Sequence, residues 1–528
     1  MKPPLQSARL VLRGFSPTSA VVAVLFVSAC AVGPDFEHPA PPKADSFAPK
    51  PMAETTASAP VVGGDAQHFV MGRDIPFAWW TQFESPKLNA LVERALRANP
   101  TIAAAQAALR QAQEYTAAQR GFFYPTVSAD YDFERQKLPG NVATTNAPGL
   151  QGNGQVIAPS APAQPLFYNF QTAQLTVGYT PDVFGANRRQ VESLQAQADS
   201  LRYEMEATYI TLAGNVVAGA IQEASLHAQI DATQRFIEQN TKALEILRNQ
   251  FRLGYVMRLD VAAQESALAQ AREQLPPLQK QLELTHDLLR ALLGEAPNAD
   301  VDTAFEFSSL KLPTDLPVTL PSQLVEQRPD VRAAEEQLHS ASAQVGVAIA
   351  ARLPQFTISG AAGGMASQTS WLFRSGGPFW NLIGNVTQPI FDGFTLQHRQ
   401  RAAEQGLLQA QAQYRSAVIT ALQNVADTLH AVVSDADSLA ACKDAEEAAK
   451  VMMEVTERQY KSGYVNYLVL LAAQEAYQQS VITLVQAQSN RYGDTVALFQ
   501  ALGGGWWNRQ EVAEKGPAPA SPVSTKAD

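Results

Sequence analysis

The chain has 528 residues, is 46% hydrophobic and 17% charged, and carries a formal net charge of −10. An acidic balance of this kind argues against a nucleic-acid partner and by itself indicates only a solvated surface. The length allows several globular domains or one elongated unit, and two cysteines exclude a disulfide scaffold.

At the N-terminus Lys2, Arg9 and Arg13 precede a short apolar core, Ala20 to Ala29. It is too short to span a bilayer, so residues 1–29 are expected to be a signal peptide. Val27-Ser28-Ala29-Cys30 is similar to a bacterial lipobox, in which the cysteine becomes the lipidated first residue, and Ala31 rather than aspartate at the next position resembles outer-membrane sorting. Removing the signal takes three positive charges and no acid, so −10 becomes −13. Cys442 then remains alone, read as a small buried or half-buried helical residue. No later segment is apolar enough for long enough to form a transmembrane helix, so any membrane span must use strands.

Residues 30–76, rich in proline, alanine and small polar residues, read as an extended linker, with ordered structure starting near Phe77-Ala78-Trp79-Trp80. Ser85-Pro86 opens a helix as N-cap and first-turn proline, and Asn99-Pro100 opens the next, to about Phe122. After Pro125 the period changes to two: Val127, Ala129, Tyr131 and Phe133 face one way, and Thr126, Ser128, Asp130, Asp132 and Glu134 the other. This predicts a strand near 125–135. A second strand is expected near 171–181, after a long loop and with Phe167, Tyr168 and Phe170 at its start.

Beyond Pro181 and Gly185 lies a proline-free run, 186–253, whose apolar residues recur at alternating spacings of four and three (Leu194, Ala198, Leu201, Met205, Thr208, Leu212). That rhythm predicts one helix in a coiled-coil setting, roughly 100 Å long at 1.5 Å per residue. It ends at Gly254, and a return helix is expected over 256–294, with Pro276-Pro277 kinking or breaking it.

The second half repeats the plan. Arg328-Pro329-Asp330 answers Asn99-Pro100, Pro354 answers Pro125, and Gly463 answers Gly254. Strands are expected at 355–366 and 379–388, then Pro389 and Gly393, a long helix over 395–462 and a return helix over 465–502. The chain is therefore read as two repeats, 77–312 and 313–507, followed by a disordered tail, 508–528. Each repeat is helix, two strands, very long helix, turn, returning helix. Four amphipathic strands cannot close a barrel and open edges are not tolerated in lipid, so other copies must complete it. Two copies would give eight strands and three would give twelve. The fold class expected is mainly α with a transmembrane β-barrel on a long α-helical tunnel.

With these elements in order, the chain resembles the TolC-like outer membrane efflux factors, in particular their NodT-type lipoprotein branch. The resemblance covers nearly all of the mature chain. It rests on Val32-Gly33-Pro34-Asp35-Phe36, Trp79-Trp80 with Phe83, Pro86 and Leu88, the run from Arg328 to Glu335, Gln388-Pro389-Ile390-Phe391-Asp392-Gly393, and the run from Ala501 to Trp506. It implies a homotrimer with a twelve-strand barrel in outer membrane lipid above a periplasmic tunnel, a periplasmic adaptor, and an inner-membrane pump of the resistance–nodulation–division class. The protein itself would be a passive small-molecule exit duct. By position, adaptor docking falls on Arg252-Leu253-Gly254-Tyr255-Val256 and Lys461-Ser462-Gly463-Tyr464-Val465. Relatives close the tunnel with an aspartate ring after the second tip glycine, but here 466–474 holds no acid. Tyr460, Tyr464 and Tyr467, or Asp260 from the first repeat, are the candidate gate residues, set against a packing role for the tyrosines and a capping or solvated one for Asp260.

Two other readings compete: a protein-secretion duct of the same family, and a lipid-anchored coiled-coil spacer, which leaves the four strands unexplained. An enzyme is not expected. The histidines at 38, 68, 227, 286, 339, 398 and 430 show no metal-ligand spacing, there is no phosphate-cradling loop or GxSxG, and Glu335-Glu336 and Glu446-Glu447 read as exposed helix faces. No cofactor or metal is predicted.

Overall fold

A computed structural model describes residues 31–40, 46–47, 53–138, 149–150, 156–157, 166–299 and 304–509. The expected signal peptide, Cys30 and nearly all of the expected tail lie outside the described residues. In chain order the elements are β1 (His68–Met71), α1 (Pro86–Ala98), α2 (Pro100–Arg120), β2 (Thr126–Leu138), β3 (Gly149–Leu150), β4 (Val156–Ile157), β5 (Leu166–Tyr179) and α3 (Ala186–Arg252). They continue as α4 (Arg258–Leu292), β6 (Asp315–Val318), α5 (Pro321–Gln327), α6 (Pro329–Ala350), β7 (Gln355–Ala366), β8 (Pro378–Thr387), α7 (Thr395–Lys461) and α8 (Tyr467–Ala501).

The chain divides into two compact units. One takes Met1–Glu37, Ala112–Gln197 and Leu338–Ala410; the other takes His38–Gln111, Ala198–Gln337 and Gln411–Asp528. The compact units are thus not the repeats: each long helix starts in the first unit and continues in the second.

The first unit holds a four-stranded sheet in the order β2–β5–β7–β8, every neighbouring pair antiparallel. Its register builds rows across all four strands: Val127, Val177, Gly360 and Leu382 in one, Ala129, Leu175, Ala362 and Trp380 in the next. Because side chains alternate across a strand, these rows make one continuous apolar face. The other face carries Ser128 opposite Thr176 and Asp130 opposite Gln174, and Thr176 Oγ1 donates to Asp130 Oδ2 at 3.0 Å. β5 begins five residues earlier than the expected start, 171, and so absorbs Phe167 and Phe170 into the strand. β2 runs on to Leu138, because its pairing with β5 extends to Leu166.

In the second unit, an aromatic core fixes the middle of the helices. Trp79 stacks on Phe499 with ring centroids 5.3 Å apart, and Phe307 stacks on Tyr492 at 5.6 Å. The segment 30–76, expected as linker, contributes to this core: Ile75 is buried and β1 pairs in parallel with β6. Polar residues within the segment are responsible. Buried Gln67 donates through Nε2 to Pro313 O at 2.9 Å and to Thr495 Oγ1 at 3.2 Å, and buried Arg491 donates through Nη2 to Asp65 O at 2.6 Å.

The long helices α3 and α7 are 67 residues each, and their returns α4 and α8 are 35 each. Pro276 and Pro277 lie inside α4, which is not broken there. Both prolines are exposed, so the carbonyls they leave without a helical donor can turn to water. At the far end of each return, the short helix that precedes the strands is tied on. Asn99 Nδ2 donates to Leu292 O at 2.8 Å in the first repeat, and Arg328 Nη1 to Ala501 O at 3.0 Å in the second.

Candidate functional site

The strand-to-helix boundaries follow the residues singled out in the sequence. Pro125 and Pro354 immediately precede β2 and β7, and Pro181 and Pro389 follow β5 and β8. Gly185 and Gly393 take φ of +77° and +67°, turning the chain into α3 and α7. An aspartate supplies the cap each time: Asp182 accepts from the Asn187 and Arg188 backbone N–H groups at 2.9 and 2.8 Å, and Asp392 from Leu396 N–H at 2.8 Å.

The first described residues lie against that boundary. Val32 N–H donates to Phe184 O at 3.1 Å, and Arg189 donates through Nη2 to Asp35 Oδ1 at 2.6 Å and through Nε to Val32 O at 3.2 Å. Phe36 stacks on His339 at 4.3 Å. Ala31 sits so close to Gly185 that a Cβ there would come within 2.6 Å of the Ala31 Cα. Val32-Gly33-Pro34-Asp35-Phe36 is therefore a seated segment, and Cys30 is one residue from its fixed end.

The two hairpin tips are built alike. Gly254 and Gly463 adopt φ of +81° and +76°, Tyr255 N–H reaches Gln250 O at 2.9 Å, and Tyr464 N–H reaches Gln459 O at 3.0 Å. Each is a Schellman close, in which a left-handed glycine lets the next N–H cap an end carbonyl. The following helices are capped differently. Asp260 Oδ2 accepts from Met257 N–H at 3.0 Å, whereas Asn466 Oδ1 accepts from Val469 N–H at 3.2 Å. Leu253, Tyr255 and Tyr464 project into solvent, Tyr464 being 84% exposed.

Within one protomer the candidate gate residues have different surroundings. Tyr467 is only 5% exposed and donates to Gln264 Oε1 at 2.5 Å, and Gln264 in turn donates to Asn240 Oδ1 at 2.7 Å. Tyr460 packs edge-on to Tyr467 at 5.5 Å, and burial, helped by the charge of Asp260, raises the pKa of both hydroxyls. Asp260 is buried as a helix cap. Tyr467 and Asp260 thus serve packing and capping inside the protomer, and Tyr464 stands apart at the exposed tip. Likewise Glu335 and Glu446, expected on exposed faces, are buried: Glu335 accepts from Arg332 Nη1 at 2.6 Å and Glu446 from Lys443 Nζ at 2.7 Å.

Two clusters escaped sequence reasoning because their members are far apart in the chain. Asp435 on α7 hydrogen-bonds Asp494 on α8; burial first, then that bond and the Asp494 charge, push Asp435 up to about 7, with Arg491 opposing. A carboxyl raised above its unfolded value binds more protons when folded, so stability falls as pH rises from about 4 to about 7 and the loss is complete above that. Asp435→Asn should therefore raise the thermal midpoint at pH 8, with the gain shrinking towards pH 4; an equal gain at both pH values would contradict this. The second cluster joins His227 and His286 to Glu223. The signal for the second was distance from the turn. In an antiparallel hairpin, residues equally far from the tip meet, and Glu223 and His286 stand 31 and 32 residues from Gly254.

Comparison with known proteins follows the same lines as the geometry. The family whose sequence profile is described as outer membrane efflux protein matches residues 91–295 and 320–504. The pyoverdine export outer membrane protein OpmQ of Pseudomonas putida is 29% identical over 458 residues, 86% of this chain and 94% of that protein. The toluene efflux pump outer membrane protein TtgC of Pseudomonas putida is 25% identical over 501 residues, 94% of this chain and 97% of that protein. Among solved structures, the outer-membrane channel OprN superimposes with a TM-score of 0.76 at 25% identity, covering 90% of this chain and 100% of its own. The Campylobacter jejuni CmeC outer membrane channel gives a TM-score of 0.77 at 20% identity, covering 91% and 96%.

Proposed function

The chain belongs to the outer membrane efflux protein family, and from that premise we propose that three copies build the exit duct of a tripartite pump. It is an outer membrane efflux channel with the TolC-like fold. The observation that carries closure by further copies is the sheet, and the number three follows the family. Among the described residues, β2 and β8 are its edges, and one face is apolar from edge to edge. A sheet that faces lipid must have no open edge, so β8 of one copy pairs with β2 of the next. Three copies of a four-stranded sheet close at twelve strands, within the even-numbered range of outer-membrane barrels.

The polar face then lines the lumen, and conduction is passive. Cys30, following the signal 1–29, carries the lipid beside the seated segment that begins at Ala31. The repeats 77–312 and 313–507 each contribute one strand pair and one helical hairpin. A periplasmic adaptor docks at Arg252 to Val256 and Lys461 to Val465, where the two Schellman tips present exposed tyrosines, and an inner-membrane pump of the resistance–nodulation–division class supplies the energy. The relatives named for pyoverdine and toluene support small-molecule efflux over protein secretion.

The test is the oligomeric mass of the acylated protein in detergent together with single-channel conductance in planar bilayers. A trimer with discrete conductance steps is expected. A surface-anchored monomer without conductance would overturn the duct and leave the coiled-coil spacer.

A further inference from the structure

We propose that Glu223, His227 and His286 form a binding site for a divalent transition-metal ion, with zinc the ion it fits, clamping α3 to α4 midway along the first hairpin. Glu223 and His227 are four residues apart on α3 and so project from one face. His286 comes across from α4, its Nε2 lying 3.2 Å from Glu223 Oε1, and His227 Nε2 lies 3.6 Å from the same oxygen. The three ligand atoms all fall within 4.8 Å of one another. Ligands bound tetrahedrally at zinc's bond lengths are about 3.3 Å apart, close to the two separations from Glu223. Two imidazoles with one carboxylate are a donor set that zinc takes readily.

The surroundings favour the ion. Glu223 is fully buried, at 0% exposure, where an ionised carboxylate is stabilised by a cation. Behind His286, Glu283 places a carboxylate oxygen 3.8 Å from Nδ1, a charge contact rather than a hydrogen bond. One turn before Glu223, Gly219 lets the helices close up: a Cβ there would lie 2.7 Å from Leu289 Cδ2. The side chain of His227 is partly open to solvent, which leaves room for a fourth, exchangeable ligand such as water.

The second repeat supplies an internal control. Gly463 minus Gly254 is 209, which carries the three positions to Val432, Ala436 and Thr495, all fully buried. The three equivalent positions therefore carry no ionisable side chain, although Asp435 and Asp494 lie beside them. The Glu/His/His set is a departure specific to the first repeat.

The experiment uses full-length protein in detergent, stripped with a chelator and titrated with Zn2+ and with Co2+. One tightly held ion per protomer is expected, with Co2+ showing the d–d absorption of a nitrogen- and oxygen-ligated low-coordinate site. Loss of a direct ligand should weaken binding at least as much as loss of an outer-shell partner, by about 100-fold, in His227→Ala, His286→Ala and the near-isosteric Glu223→Gln. His430→Ala, an exposed histidine on α7, should bind as wild type. Circular dichroism on each variant separates lost binding from lost fold. Uptake by His227→Ala/His286→Ala equal to wild type, or no uptake by wild type above that double variant, would overturn the site.

Discussion

Trp79→Ala is expected to lower stability by about 3–5 kcal/mol, the range for truncating a fully buried aromatic side chain. Trp79 is 1% exposed; it stacks on Phe499 and meets Trp80 and Phe83 edge-on at 6.0 and 6.4 Å. Its removal leaves a cavity bounded by rings held from several sides, so collapse into the space is restricted. The readout is the guanidinium midpoint of the helical signal. Phe499→Ala should fall in the same range, and the double variant should cost less than the sum, because both remove one stack. A loss below about 1 kcal/mol would mean that the core tolerates the hole by rearrangement.

The second large effect concerns the sheet. Leu175→Arg, at a position 56% exposed on the apolar face between Ala129 and Ala362, should cost about 2–4 kcal/mol of membrane insertion, the penalty for a charge facing lipid. Gln174→Arg, one residue away on the opposite face and across from Asp130, should insert and conduct with altered ion selectivity. The two substitutions add the same group to the same strand, so nonspecific destabilisation cannot separate them. Outer-membrane fractionation and bilayer conductance make the measurement. Equal insertion of both proteins would contradict the assignment of faces.

The sequence made some of this molecule legible and concealed the rest for physical reasons. Gly254 and Gly463 marked the helix ends because a left-handed close strongly favours glycine, and the alternation from Thr126 to Glu134 marked a two-faced strand because side chains in a strand alternate. Gly360, Gly363 and Gly364 disfavour a strand locally, yet β7 forms because it is paired on both sides. Composition misjudged residues 54–75, where small polar residues looked like linker. What orders them is buried hydrogen bonding to Arg491 and Thr495, more than 400 positions away, which no local pattern reports. The inward packing of Tyr467 was one of two readings the sequence left open, and it is the hydrogen bond to Gln264, 203 positions away, that shows it.

Those same long-range bonds bear on how the protein is made. Gln67 is joined to Thr495 across 428 positions and Arg491 to Thr56 across 435, while β1 waits for β6. Contacts between such distant partners form late, because the intervening loop must be closed before they contribute. The aromatic core of the second unit needs Tyr492 and Phe499 as well as Trp79 and Phe83, so a chain truncated before α8 lacks one wall of it. The second unit therefore cannot complete its core until nearly the last described residues of the chain are present.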